Sequence, residues 1–244
     1  MIGRIVLATL FAGMLAGLVL AGIQHVRLTP LILQGEVYET AADPVASAIA
    51  DANKPCVEKM PGMKMCAADG QSAWEPAEGL QRTLFTTAAS LLAGAGFAAM
   101  LAGISLLTGI PITKQNGLIW GVCGFLAVAV APAVGLPPEV PGMPVADLLS
   151  RQIWWVGTIA ATGVGIYLIV IRPETWAKIL AVVIIALPHI IGAPVAPDTP
   201  TTVPPSLAAE FVAASIAAAA VFWCVMGLLL GHFLDRFQED LLAL

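Results

Sequence analysis

Five side chains in this sequence have the chemistry of ligands for a divalent first-row ion: His25, Glu139, Met143, His189 and Glu210. Imidazole nitrogen, carboxylate oxygen and thioether sulfur together suit Co2+, Ni2+ or Zn2+. Each stands at or just beyond the end of a long apolar stretch. Ionisable groups there are costly to place, which makes them functional candidates. His189 is the sharpest of them. It follows Pro188 in Leu187-Pro188-His189-Ile190-Ile191-Gly192-Ala193-Pro194. Proline donates no N–H and frees the carbonyl of Ile184, so a broken or kinked helix is expected there. Irregular backbone at membrane depth persists only where protein or a water-filled cavity satisfies it, as along ion paths. The opposing reading makes His189 a helix-end ring bonded to a carbonyl or a lipid headgroup. His25, beside Arg27, has the same plain interfacial reading. Glu210 opens a helix with Ser206, where an acid supports the helix dipole without binding anything. His232, near Arg236, reads as interfacial.

The thiols divide into two kinds. Cys56 and Cys66 flank a Pro61-Gly62 turn in the only sizeable polar stretch. A disulfide closing this hairpin is the expectation if the stretch faces an oxidising compartment, stabilising it by about 3 kcal/mol. The same thiols with Met60, Met63 and Met65 would instead suit a soft ion such as Cu(I), and the two readings exclude each other. Cys123 and Cys224 fall mid-stretch on separate segments, where free cysteine behaves as a small hydrophobe.

The elements that must position these groups are membrane helices. Of 244 residues, 59% are hydrophobic and 11% charged, against about 25% charged in soluble domains. So few charges cannot cover a water-facing surface, and the hydrophobicity excludes disorder. With 11 basic residues against 16 acidic ones and no basic cluster, nucleic-acid binding is not expected. The fold class is all-α, a polytopic helical membrane protein with about six transmembrane helices in one bundle. A span needs about 20 apolar residues, so intervals between fixed charges serve as a ruler. They place spans at about 5–25, 83–107, 117–135, 152–171, 176–193 and 207–232 of a single membrane domain, 1–244. Residues 26–82 then form an external loop with a hairpin around 56–66. Trp154 and Trp155 sit in the first turn of the fourth span as interfacial anchors. Ile5–Ile23 overshoots the apolar core of a secretory signal, so the first span is expected to be retained.

Lys and Arg set the orientation. Arg4, Lys114, Arg172, Lys178 and Arg236 fall on one side and, of the short loops opposite, only Arg151 is basic. Both termini are therefore expected in the cytoplasm, with His25, Glu139, Met143, His189 and Glu210 outside. Gly13-x-x-x-Gly17, Gly117-x-x-x-Gly121 and Gly227-x-x-x-Gly231 allow close helix approach, without saying which helices meet. Neither a phosphate-binding G-x-x-x-x-G-K-[ST] loop nor H-E-x-x-H nor G-x-S-x-G occurs, so no enzyme is expected. Two functions compete: a permease subunit that strips a hydrated ion at His189 and Glu210 and passes it between helices, and a non-transporting scaffold subunit of an uptake complex.

Four segments in order carry a family resemblance. Trp74-Glu-Pro-Ala-Glu-Gly-Leu-Gln-Arg-Thr-Leu-Phe-Thr87 precedes the second span. Leu136-Pro-Pro-Glu-Val-Pro-Gly-Met-Pro144 is followed by Arg151-Gln152-x-Trp154-Trp155. Pro188-His189 with Gly192-Ala193-Pro194, and Leu207-Ala-Ala-Glu210-Phe-Val-Ala-Ala-Ser215, complete the set. Together they resemble the CbtA family of cobalt transporter subunits over nearly the whole chain. The resemblance implies a bacterial inner-membrane subunit for Co2+ uptake linked to cobalamin biosynthesis; the mixed donor set also admits Ni2+, and no permanently bound cofactor is expected. It also implies a small single-span partner, CbtB-like, with a histidine-rich motif. His189, Glu210, Glu139, Met143, Arg151 and Gln152 fall on motif positions. One departure is that many members carry histidines in the first outer loop, whereas none lies between His25 and His189 here.

Overall fold

Apolar stretches bounded by fixed charges fold here as long helices, because a backbone in lipid must satisfy its own hydrogen bonds. The computed structural model describes residues 2–42, 57–60, 63–65, 76–77 and 79–242. In chain order these form α1 (Ile2–Ile23), a first π-helical turn (Gln24–Leu28), α2 (Thr29–Ala42), β1 (Val57–Met60) and β2 (Met63–Met65). Next come α3 (Leu80–Thr108), α4 (Gly117–Phe125), a second π-helical turn (Leu126–Val130) and α5 (Ala131–Gly135). The last three are α6 (Leu148–Ile171), α7 (Thr175–Ile191) and α8 (Pro205–Leu242). β1 and β2 pair antiparallel, Val57 with Met65 and Glu58 with Lys64. Cys56 and Cys66, and hence the expected disulfide, lie outside the described residues.

Among the described residues five helical stretches are long and apolar enough to cross a membrane, Gly3–Glu39, Leu80–Thr108, Gly117–Gly135, Leu148–Ile171 and Pro205–Arg236. The sixth apolar helix, α7, has 17 residues, the short end of the range that spans a bilayer. The architecture is that of a helical membrane protein. Large side chains such as Leu92, Leu106, Leu107 and Ile190 point outward, as lipid-facing positions do.

Small residues decide which helices touch, since lipid gives apolar faces no reason to associate beyond close packing. α1 runs antiparallel to α3 with Gly13 against Gly94 and Gly17 against Ser90. α4 runs antiparallel to α8, its Gly117 and Gly121 facing Gly227 and Gly231. In the third pair, Gly165 of α6 lies against Ala181 and Ile185 of α7. α8 also packs on α1, and Ala12, Ala16, Ala98, Phe222, Trp223, Met226 and Leu230 form the buried centre. Phe97 of α3 tilts against Trp223 at 5.1 Å between ring centroids.

The first helix does not end near residue 25. It continues through the π-helical turn into α2, giving an unbroken helical stretch from Gly3 to Glu39 of 37 residues. At 1.5 Å per residue this is about 55 Å, well beyond a hydrocarbon core of about 30 Å. Its far end packs against the connection before α6 and the start of α8. Arg27 therefore lies within the helix and not at its end. The segment assigned to the external loop thus begins as helix.

The two π-helical turns share one cause. Each sits directly before a proline, Pro30 or Pro132, with one residue between. Proline cannot donate to the carbonyl four residues back, and its ring crowds that carbonyl. Widening the preceding turn relieves the clash, so Thr29 N–H reaches Gln24 O and Ala131 N–H reaches Leu126 O.

Pro188 behaves otherwise, and the expected break of the fifth apolar helix is corrected here: α7 runs through Pro188 to Ile191. Only one helical bond is lost so near the C-terminus. The following turn closes normally, with Gly192 N–H donating to Pro188 O at 3.1 Å, and Gly192 (φ +92°) ends the helix.

One end of the bundle collects the connections. Gly35 of α2 abuts Val140 and Pro141, Gly142 abuts Glu39 and Val203, and Gly135 abuts Ala193. Thr201 Oγ1 donates to Gly142 O at 3.0 Å. Leu31, Val140, Val203 and Leu207 form a small buried knot that ties α2, the 136–147 connection and the start of α8 together. At the opposite end Lys114 pairs with Asp235 at 3.4 Å.

α6 starts at this loop-rich end under a cap. The Asp147 carboxylate accepts from the Ser150 amide and the Ser150 hydroxyl, both at 3.0 Å. These bonds hold its carboxyl below the usual carboxylate range. A depressed pKa stabilises the folded state above the ordinary carboxylate value, and that stabilisation fades as pH falls through the depressed one. Below about pH 4, the wild type is expected to lose thermal stability with falling pH more steeply than Asp147→Ala. Melting curves across pH 2–6 check this, and parallel curves would count against the cap.

Candidate functional site

The five candidate ligands do not assemble. Among the described residues no group of three or more His, Cys, Asp or Glu is placed to hold a metal ion. They occupy separate settings at the loop-rich end.

Glu139 has the richest. It reaches Arg151 Nη2 through Oε2 at 3.0 Å, and both side chains are largely withdrawn from the surface, 18% and 31% exposed. The pair lies in a cleft of about 400 Å3 bounded by the second π-helical turn, α5, α6 and α8, with Gln152, Trp155 and Ser215 on its walls. Local sequence explains the placement. Pro137-Pro138 ends the helical path after α5, Val140 plugs into the buried knot, and Gly142 (φ +86°) turns the chain back toward α6. Glu139, one residue before the plug, is left facing Arg151 in the first turn of α6. The cleft offers a carboxylate, an amide and a hydroxyl to a polar ligand, with a guanidinium already on the carboxylate.

His189 is half-buried at the end of α7, away from this cleft. Its ring meets Trp154 edge-on, with centroids 5.8 Å apart and planes at 75°. Trp154 Nε1 donates to Pro188 O at 3.1 Å, which braces the proline-containing turn. Met143 packs against the apolar knot. Glu210 is exposed on α8, close in sequence to Leu207 and Phe211 of that knot.

His25 belongs to a second, smaller cleft of about 200 Å3 between α1 and α3, lined also by Thr29, Arg82, Thr83, Thr86 and Thr87. Arg82 spans both carboxylate oxygens of Glu36, Nη1 to Oε2 at 3.1 Å and Nη2 to Oε1. This bidentate pair ties α2 to the start of α3. Gly79 (φ +84°) turns the chain into α3, and Gln81 Oε1 accepts from Ala77 N–H at 2.6 Å. The described part of the motif ending at Thr87 therefore starts and anchors α3.

Three features escaped the sequence reading. The Glu139–Arg151 and Glu36–Arg82 pairs have no local signature, since each joins residues across a connection. The π-helical turns did leave one, a proline six residues after the start of each turn, and each turn lines one of the two clefts. Such turns are frequent at functional sites.

A family model described as "Probable cobalt transporter subunit (CbtA)" matches residues 2–235. No curated protein matches the chain, and no solved structure does.

Proposed function

The chain belongs to the CbtA family of probable cobalt transporter subunits, and from that premise we propose that it admits hydrated Co2+ through the Glu139 cleft. As a transporter subunit it works within a membrane complex and has no catalytic role to fill. The observation that supports the path is a carboxylate and an amide, Glu139 and Gln152, held in one cleft of about 400 Å3 between helices. A hydrated divalent ion entering there exchanges water for oxygen donors without being stripped completely.

Oxygen donors discriminate poorly among first-row divalent ions, whereas imidazole favours the later ones. Selection of Co2+ over other ions therefore belongs to nitrogen ligands met before the cleft. His189 at the same end is one, and a single-span partner with a histidine-rich, CbtB-like motif supplies the rest. Ni2+ passes the same cleft. In this reading the loop-rich end faces outward from a bacterial inner membrane, and both termini are cytoplasmic.

Co2+ influx into proteoliposomes, with the purified chain alone and with such a partner, tests the proposal. Influx is expected to fall at least about tenfold in Glu139→Gln, the scale of removing one charge contact from a weakly hydrated site. Equal influx in Glu139→Gln and wild type would overturn the path. Influx through the chain alone would reject the scaffold reading.

A further inference from the structure

Arg151 stands where helix electrostatics disfavour it. It lies in the first turn of α6, at the positive end of the helix dipole, where an acid would be stabilised and a cation is not. It gains little from solvent either, because its head turns inward to Glu139 Oε2 at 3.0 Å. Partly buried ion pairs of this kind give small net stabilisation, since desolvation offsets attraction. Helix electrostatics do not account for the placement.

The cleft gives it another role. Glu139, Arg151 and Gln152 share its wall, around an open volume of about 400 Å3. Resting on the reading that divalent ions enter at Glu139, we propose that Arg151 is a tethered cation that holds Glu139 when no ion is present and is displaced by the incoming ion. The carboxylate is then never left bare at the membrane boundary. Binding becomes an exchange of one cation for another: a metal–oxygen contact forms as the Nη2–Oε2 hydrogen bond breaks. The displaced guanidinium turns toward the open side of the cleft. The exchange sets a deliberately modest affinity, which lets the ion leave again.

Co2+ titration of the full purified chain in detergent micelles tests this. Trp155 lines the cleft, so paramagnetic Co2+ bound there quenches its fluorescence, and the part of the quench missing in Trp155→Phe reports the site. Calorimetry gives the affinity independently. Arg151→Gln is expected to bind Co2+ about tenfold more tightly than wild type, since a competing charge is removed. Arg151→Lys, which keeps a charge, falls between them. Glu139→Gln and the neutral double variant Glu139→Gln/Arg151→Gln lose the cleft signal, and the double variant does so without stranding a charge. If Arg151→Gln binds no more tightly while Glu139→Gln still abolishes binding, the exchange is wrong and the Glu139 path stands. If Glu139→Gln binds as wild type does, the path itself fails.

Discussion

Replacing Gly227 with leucine is expected to destabilise the folded protein by about 3 kcal/mol or more, at the upper end of overpacking costs. A Cβ at Gly227 would run into the Gly117 carbonyl, with Gly121 N at 2.7 Å and Gly121 Cα at 2.8 Å. All three contacts are backbone, so no side chain can swing aside, and α4 must separate from α8. That separation strips close contacts from the main thing holding helices together in lipid. α8 also carries Phe222, Trp223, Met226 and Leu230 into the buried centre with α1 and α3, so the damage spreads beyond one pair. Gly96 is the matched control. Nothing lies within 4 Å of a Cβ built there, so Gly96→Leu is expected to be neutral or to stabilise by up to about 1 kcal/mol through helix propensity. Unfolding of the detergent-solubilised protein, followed by circular dichroism, separates the two. Similar losses in both variants would show that glycine content, and not the α4–α8 contact, is what matters.

The same interface shows what sequence can and cannot convey. Fixed charges at Arg82, Lys114, Arg151, Arg172, Lys178 and Glu210 bound the apolar stretches well, because a charge inside lipid is costly wherever it falls. Hence the class was legible, and long helices stand between those charges. Arg27 misled for a related reason. A charge marks the edge of the apolar layer, but a helix with internal hydrogen bonds loses nothing by continuing into water, and this one continues to Ala42. Glycines at four-residue spacing revealed smooth helix faces. They did not reveal that Gly117 and Gly121 meet Gly227 and Gly231, because partner choice depends on the whole bundle.

The site was less legible still. Glu139 and Arg151 were each visible as motif residues, yet their pairing depends on how Val140 and Gly142 shape the connection between α5 and α6. Met143, a soft donor by type, is held in an apolar knot with Leu31, Val140, Val203 and Leu207. Its role follows from what surrounds it. Of the five residues chosen by type, Glu139 lies in the larger cleft and His25 in the smaller, and the folding of the connections, not residue type, decides that.

Trp154→Ala is expected to cost about 3–5 kcal/mol, the usual loss for truncating a large packed aromatic, and to loosen the end of α7. Trp154 fills the space beside Gly135, where an added Cβ would strike its ring at 2.5 Å. It also touches the His189 ring and donates Nε1–H to Pro188 O. Two segments, α5 and α7, therefore lean on one indole of α6. Trp154→Phe separates the contributions, because it keeps most of the ring and drops the donor. Pro188 O still accepts from Gly192 N–H, so the lost bond costs only about 0.5–1 kcal/mol. If packing dominates, the phenylalanine variant stays near wild type and the alanine variant does not. Reaction with diethyl pyrocarbonate adds a local readout, since the chain has 3 histidines and mass spectrometry resolves them. His189 is expected to react faster in Trp154→Ala while His25 and His232 stay unchanged. Equal reactivity of His189 in both proteins would mean that Trp154 does not shield it. The half-burial of that ring would then have to come from α7 itself, leaving its nitrogens as available to an arriving ion with the indole as without it.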